Sequence, residues 1–149
     1  MENQKLINFL NQLLSNQFVM YVKLHRYHWF VQGRHFFQLH ELFEEMYVKF
    51  AEDLDTVAER ILMIDGKPLA TMSKYLKEAT IVEASADDEE EEIIDQLHND
   101  YKQLIKEIKD IGFELAEGRN DEPTKDLLIT LLGSYEKYVW MLSQYRAYK

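Results

Sequence analysis

Apolar residues return every three or four positions through four long stretches of the chain, the periodicity of helices that bury one face. The first stretch runs from about Asn3 to Val31 and sets Leu6, Leu10, Leu13, Met20 and Leu24 on one stripe, until Gly33-Arg34 breaks it. The second runs from about His35 to Ile64, with Phe36, Leu39, Phe43, Met46, Phe50, Leu54, Val57, Ile61 and Ile64 on its stripe. It stops at Asp65-Gly66-Lys67-Pro68, a helix-end and turn signature. A short helical turn is expected from Ser73 to Glu78 in the link that follows. The third stretch begins near Asp87 and carries Ile94, Leu97, Tyr101, Leu104, Ile108, Ile111 and Leu115. After a break from Gly118 to Pro123, the fourth spans about Thr124 to Tyr148 and stacks Leu128, Leu131, Tyr135, Tyr138, Leu142 and Tyr145. Two short breaks and one long link predict an all-α four-helix bundle with a short extra helix in the crossover between helices two and three.

Composition narrows this picture. A chain of 149 residues, 46% hydrophobic and with only five Gly and two Pro, is expected to form one domain over residues 1–149 around a real core. The absence of cysteine excludes disulfides, thiolate metal sites and thiol catalysis. Met1-Glu2-Asn3-Gln4-Lys5 leads straight into an amphipathic pattern without signal-peptide shape, and no apolar run approaches the roughly 18 residues of a spanning helix. The expected location is the cytoplasm, with no membrane partner. A net charge of −10 argues against sequence-independent affinity for nucleic acid or anionic lipid and is compatible with collecting cations.

The candidate chemistry lies between His28 and Glu59. His28, His40, Glu44, Asp55 and Glu59 are metal-type ligands, and His40 with Glu44, like Asp55 with Glu59, is an i,i+4 pair on one helix face. Imidazole with carboxylate and no thiolate suits iron, manganese or zinc. On a helical wheel with His40 at 0°, the apolar stripe of the second helix centres near about 280°, and the four ligands of that helix fall between about 0° and 100°. The ligand arc therefore turns roughly 130° away from the core stripe, so a metal held here lies on an outer face.

Distance divides the set. Glu44 and Asp55 are eleven residues apart, about 16 Å along a helix, too far for bonds of roughly 2 Å to gather both pairs around one ion. The break at Gly33 lets helix one fold back beside helix two, so His28 joins His40 and Glu44 in one half-site, and Asp55 with Glu59 forms the other. The two pairs are symmetric about a point between Lys49 and Phe50, as a two-fold antiparallel dimer requires, and small Ala51 lies on the same arc. Taken one at a time, each of these residues is better read as an ordinary solvated helix charge or as a packed or solvated histidine. It is their shared arc and complementary division that favour two intersubunit metal sites per dimer.

The segment His28-Trp29-Phe30, then Phe36-Phe37-Gln38-Leu39-His40-Glu41, then Asp55-Thr56-Val57-Ala58-Glu59-Arg60 resembles the Dps family, the mini-ferritins named as DNA-binding proteins from starved cells. The pattern H-x11-H-x3-E-x10-D-x3-E is specific as a compound motif, and the similarity covers nearly the whole chain, including Tyr138-Val139-Trp140-Met141. The resemblance implies a ferritin-like bundle assembled as a dodecameric shell from two-fold dimers. It implies ferroxidase activity: iron(II) bound between subunits by His28, His40 and Glu44 of one copy and Asp55 and Glu59 of its mate, oxidised preferably by hydrogen peroxide, and stored as ferric iron. Glu44 stands where some relatives carry aspartate, and its longer arm changes the reach toward a second, weaker iron position. By resemblance Trp29 accepts stray oxidising equivalents; packing at an interface explains it as well. Histidine ligation predicts that oxidation falls as the pH drops through about 6 to 6.5.

Glu114, Glu117, Asp121, Glu122 and Asp126 cluster between helices three and four. By resemblance Glu117, Glu122 and Asp126 line an iron-entry pore, while acids at a helix start also complement its dipole. The run Asp87-Asp88-Glu89-Glu90-Glu91-Glu92 reads as the solvated first turn of helix three, and His25, His35 and His98 as structural or surface residues. Lys5 is the only basic side chain in the first 22 residues, and beside Arg146 and Lys149 at the other end there is no Lys-rich tail, so DNA binding is not expected. The alternatives to an iron-storing ferroxidase are a DNA-compacting protein or a purely structural helical assembly.

Overall fold

The computed structural model describes residues 2–84 and 88–147. Its elements are α1 (Glu2–Phe30), α2 (Phe36–Met63), α3 (Met72–Glu78), α4 (Glu90–Glu107), a π-helical turn (Ile108–Gly112), α5 (Phe113–Gly118) and α6 (Glu122–Ala147). α1 lies along α2, α4 lies along α6, and α3 sits against α1 within the long crossover. This is the predicted four-helix bundle with its extra helix. Among the described residues no helix is long and apolar enough to cross a membrane.

The stripes read from the sequence are the core. Phe43, Met46, Val57 and Ile61 of α2 are completely buried, as are Leu6, Leu10, Met20 and Leu24 of α1 and Leu97 and Leu104 of α4. Each such side chain contributes about 1.5–3 kcal/mol of transfer free energy. Helix α2 ends as its sequence predicts: Asp65 takes a left-handed φ of 67° and the Gly66 N–H donates to the Ile61 carbonyl at 2.8 Å. A side chain at Gly66 would press on Ile61 and Ile7, with a Cβ only 2.8 and 2.9 Å from them.

Three local readings are corrected. Asp53 is buried on α2 while Leu54 is only partly so, packed at the edge of the core; the Asp53 carboxylate meets Lys49 Nζ at 2.9 Å, which makes burial of the charge tolerable. In the third stretch, the π turn inserts one residue into the helical repeat. Gly112 and Ala116 therefore take the buried positions expected for Ile111 and Leu115, and Ile111 is 43% exposed. Gly112 is required there, because a Cβ would come within 2.7 Å of the Phe9 ring. Finally, α4 begins at Glu90, and Glu90 is buried rather than solvated. Asp87 and Tyr148, expected helix ends, lie outside the described residues, as does Lys149.

The crossover is tied down by buried polar side chains of α1. Asn16 Oδ1 accepts from the N–H groups of Thr80 (2.8 Å) and Ile81 (3.0 Å). Lys23 Nζ donates to the Val82 carbonyl at 2.9 Å and pairs with Asp100 of α4 at 2.8 Å.

Candidate metal centre

The turn over residues 31–35 folds the end of α1 back onto the start of α2, as the break at Gly33 predicts. It brings His28 and His40 together with their rings stacked, 3.8 Å between centroids and 10° between planes. Phe36 stacks on His40 at 5.1 Å, and the edge of Tyr47 meets His28 at 5.4 Å.

The histidines lock each other through the backbone. His28 Nδ1 lies 2.6 Å from the His40 carbonyl oxygen, and His40 Nδ1 lies 2.7 Å from the His28 carbonyl oxygen. A carbonyl only accepts, so in both rings Nδ1 carries the proton and donates. Each Nε2 then presents a lone pair, the form that binds a metal, with ring and tautomer fixed by the other histidine's backbone. His28 is 7% exposed, while its Nε2 faces Glu44 Oε1 at 3.8 Å. That separation is longer than a hydrogen bond.

Asp55 and Glu59 lie roughly three to five turns farther along α2, exposed, on the side away from the buried stripe. Among the described residues neither makes a side-chain hydrogen bond or ion pair, and no three His, Asp or Glu residues gather closely enough to hold a metal ion. One chain thus stacks His28 on His40, sets Glu44 3.8 Å from His28 Nε2, and leaves Asp55 and Glu59 apart from them.

The surrounding surface is apolar. Trp29 is 63% exposed and Phe37 is 79% exposed, with Phe30 and Val48 also largely bare. Trp29 meets His25 at 5.6 Å; the His25 ring stacks on Tyr47 at 3.7 Å, and its Nδ1 donates to the Tyr21 carbonyl at 2.7 Å. Tyr47 is a neighbour of the site that the sequence reading missed. Burial and the adjacent Glu44 raise its phenol pKa, so it stays protonated. Its signal was available: Tyr47 follows His40 by seven residues and Glu44 by three, on the same helix face.

Of the acidic cluster between helices three and four, Asp121 is committed to structure. It is buried and caps α6 by accepting from the N–H and hydroxyl of Thr124, and Arg60 pairs with it at 2.9 Å. Burial alone would raise its carboxyl pKa; the bonds from Thr124 and Arg60 outweigh burial and hold it below the ordinary value. Glu117, Glu122 and Asp126 are exposed, with Glu117 paired to Lys125 at 2.7 Å. His98 is buried and structural: its Nε2 meets Ser143 Oγ at 3.0 Å and Arg146 donates to its Nδ1 at 2.9 Å.

Comparison with known proteins places this geometry. A family model described as a ferritin-like domain matches residues 7–147. The chain is 42% identical to "DNA protection during starvation protein 2" of Bacillus anthracis, over 94% of this chain and 95% of that one. The solved Dps protein from Bacillus brevis superposes with a TM-score of 0.94 at 40% identity, covering 97% of this chain and 96% of that one. Dps from Vibrio cholerae O1, described as a member of a broad superfamily of ferritin-like diiron-carboxylate proteins, gives a TM-score of 0.91 at 38% identity over 97% and 90% of the two chains. The chain belongs to the Dps family of ferritin-like proteins.

Proposed function

We propose that this chain binds and oxidises iron(II) at sites shared between two copies, stores the ferric product inside a hollow homo-oligomeric shell, and so protects against oxidative stress. The observation that carries the reading is the reciprocal lock of His28 and His40, which leaves both Nε2 lone pairs free and sets that of His28 3.8 Å from Glu44. The carboxylates that would complete the coordination, Asp55 and Glu59, stand unpaired on the same helix but out of reach within one chain. A two-fold mate laid antiparallel on α2 supplies them, and the bare Trp29, Phe37 and Val48 provide apolar surface for such contact.

The ligand set fits iron as substrate. Neutral imidazole binds iron(II), and the carboxylates favour the harder ferric product. With hydrogen peroxide as oxidant, two iron(II) ions each give one electron; the O–O bond breaks, two protons are taken up and two waters form. Handling both electrons at one centre avoids release of hydroxyl radical, and exposed Trp29 accepts any single oxidising equivalent that escapes. In this reading Glu117, Glu122 and Asp126 line an entry pore, the protein acts in the cytoplasm as a single domain, and DNA is not its partner, given the net charge of −10. Twelve copies of 17.8 kDa would elute as one assembly of about two hundred kilodaltons. The decisive experiment is peroxide-driven iron(II) oxidation in the wild type and in His28→Ala plus Asp55→Ala. Equal rates would sink the proposal.

A further inference from the structure

We infer that Glu90, at the first turn of α4, is a positioning residue for the histidine half-site: it clamps the α1–α2 turn and thereby sets the stacking of His28 on His40. The inference rests on the metal-binding reading of those histidines. Glu90 belongs to another element of the bundle, yet its carboxylate is spent almost entirely on this turn and on α6. Oε1 accepts from the His35 backbone N–H at 2.9 Å, and Oε2 accepts from His35 Nδ1 at 2.6 Å and from the Tyr145 hydroxyl. The main chain repeats the connection: the Glu90 N–H donates to the Gln32 carbonyl at 2.9 Å, and the Gln32 N–H donates to the Asp88 carbonyl at 2.7 Å.

Gly33 shows how closely the carboxylate is seated. Its φ is +153°, and a Cβ there would fall 2.0 Å from Glu90 Oε1. Glutamate is ordinarily flexible enough to step aside, but this one would break its bonds to His35 and Tyr145 in doing so. The turn between Gln32 and His35 is therefore held from outside at both ends, by main-chain bonds to Gln32 and by one buried carboxylate at His35. His28 and His40 flank that turn, and each takes its tautomer from the other's backbone carbonyl. A shift of the turn moves both carbonyls and both rings at once, so the geometry of the metal-binding nitrogens depends on Glu90 without Glu90 touching the metal.

Cobalt(II), whose d–d bands report coordination geometry, is the probe, titrated into intact metal-free assembly. Glu90→Gln keeps the volume but turns one accepting oxygen into an NH2 donor, so it cannot accept both from the His35 backbone N–H and from His35 Nδ1 with Tyr145; Gly33→Ala displaces the carboxylate from the opposite side. Each is expected to weaken cobalt(II) affinity about tenfold, the lower end of what loss of an outer-shell partner costs, and to alter the bands. Tyr145→Phe, which removes one donor only, is expected to do less. Leu128→Ala controls for general destabilisation, because it opens the core near Gly112, at the far end of the bundle. It should lower thermal stability with affinity and bands unchanged. If Glu90→Gln binds cobalt(II) with wild-type affinity and bands, the clamp is overturned while the half-site reading stands. If affinity instead follows thermal stability across all four variants, Glu90 is only structural. If His28→Ala itself leaves cobalt(II) binding untouched, the half-site reading fails and the clamp's role goes with it.

Discussion

The histidine half and the carboxylate half of the proposed site are built in opposite ways. His28 and His40 are packed between helices, stacked on each other and on Phe36, and each ring is tied to backbone. Asp55 and Glu59 stand on the outer side of α2 with no side-chain partner among the described residues. The first half is preorganised, so its geometry is already set when the metal arrives. The second is free to adjust, and it becomes a ligand pair only when another copy brings it to the histidines. Rigidity thus sits where tautomer and ring orientation matter, and latitude sits where a carboxylate swings from one oxygen to another as the metal changes charge.

The strongest way to break this comparison is to separate the halves genetically. His28→Ala and Asp55→Ala, each alone, should abolish peroxide-driven iron(II) oxidation, a loss of at least about a hundredfold from removing a ligand. Dissociated and reassembled together in equal amounts, they should recover about a quarter of wild-type activity. Half of randomly paired dimers are then mixed, and each mixed dimer holds one intact site. Sites confined to one chain would give no recovery, and that result would end the two-halves account.

Stability provides the next contrast, and chemical denaturation of the metal-free protein measures it. Phe43→Ala, at the centre of the buried stripe, sets the scale with a loss of about 3–5 kcal/mol. His40→Ala should cost about 1–3 kcal/mol, because it strands the His28 carbonyl and removes a stacked ring. Glu59→Ala should stay within about 0.5 kcal/mol of wild type, as expected for an exposed residue without partners. If His40→Ala and Glu59→Ala were equally silent, the histidine half would not be preorganised.

How much of this was legible in sequence follows from what each feature depends on. Phe43, Met46, Phe50 and Val57 announce α2 and its buried face through spacing alone, because burial of one face imposes a period. The turn at Gly33 was legible as a break, and with it the meeting of His28 and His40. The π turn was not: up to Ile108 the ordinary helical repeat holds, and only the close approach of Phe9 to Gly112 makes the extra residue visible. Asp53 was hidden for a related reason, since a carboxylate reads as exposed until Lys49 is placed beside it. The tautomers of His28 and His40 and the seating of Glu90 depend on atoms brought together across a turn or from a distant helix. Residue type and spacing carry no trace of them.

The smallest expected effect concerns acid and tests the scaffold of the histidine half. Burial acts to raise the Glu90 carboxyl pKa, but the bonds from Tyr145 and His35 outweigh it and hold the group below its ordinary value. A carboxyl lowered in the folded state binds its proton more weakly there than in the unfolded chain. Its contribution to stability is therefore complete above the ordinary glutamate value of about 4.3 and is lost as the pH falls through the lower folded value. The thermal midpoint of metal-free wild type should exceed that of Glu90→Gln by a constant margin above about pH 5, and the margin should close on further acidification. The ring of His35 is half exposed, so water weakens the partnership and the margin should be modest. A margin that held unchanged to pH 3 would show that ionisation of Glu90 is not what holds the turn.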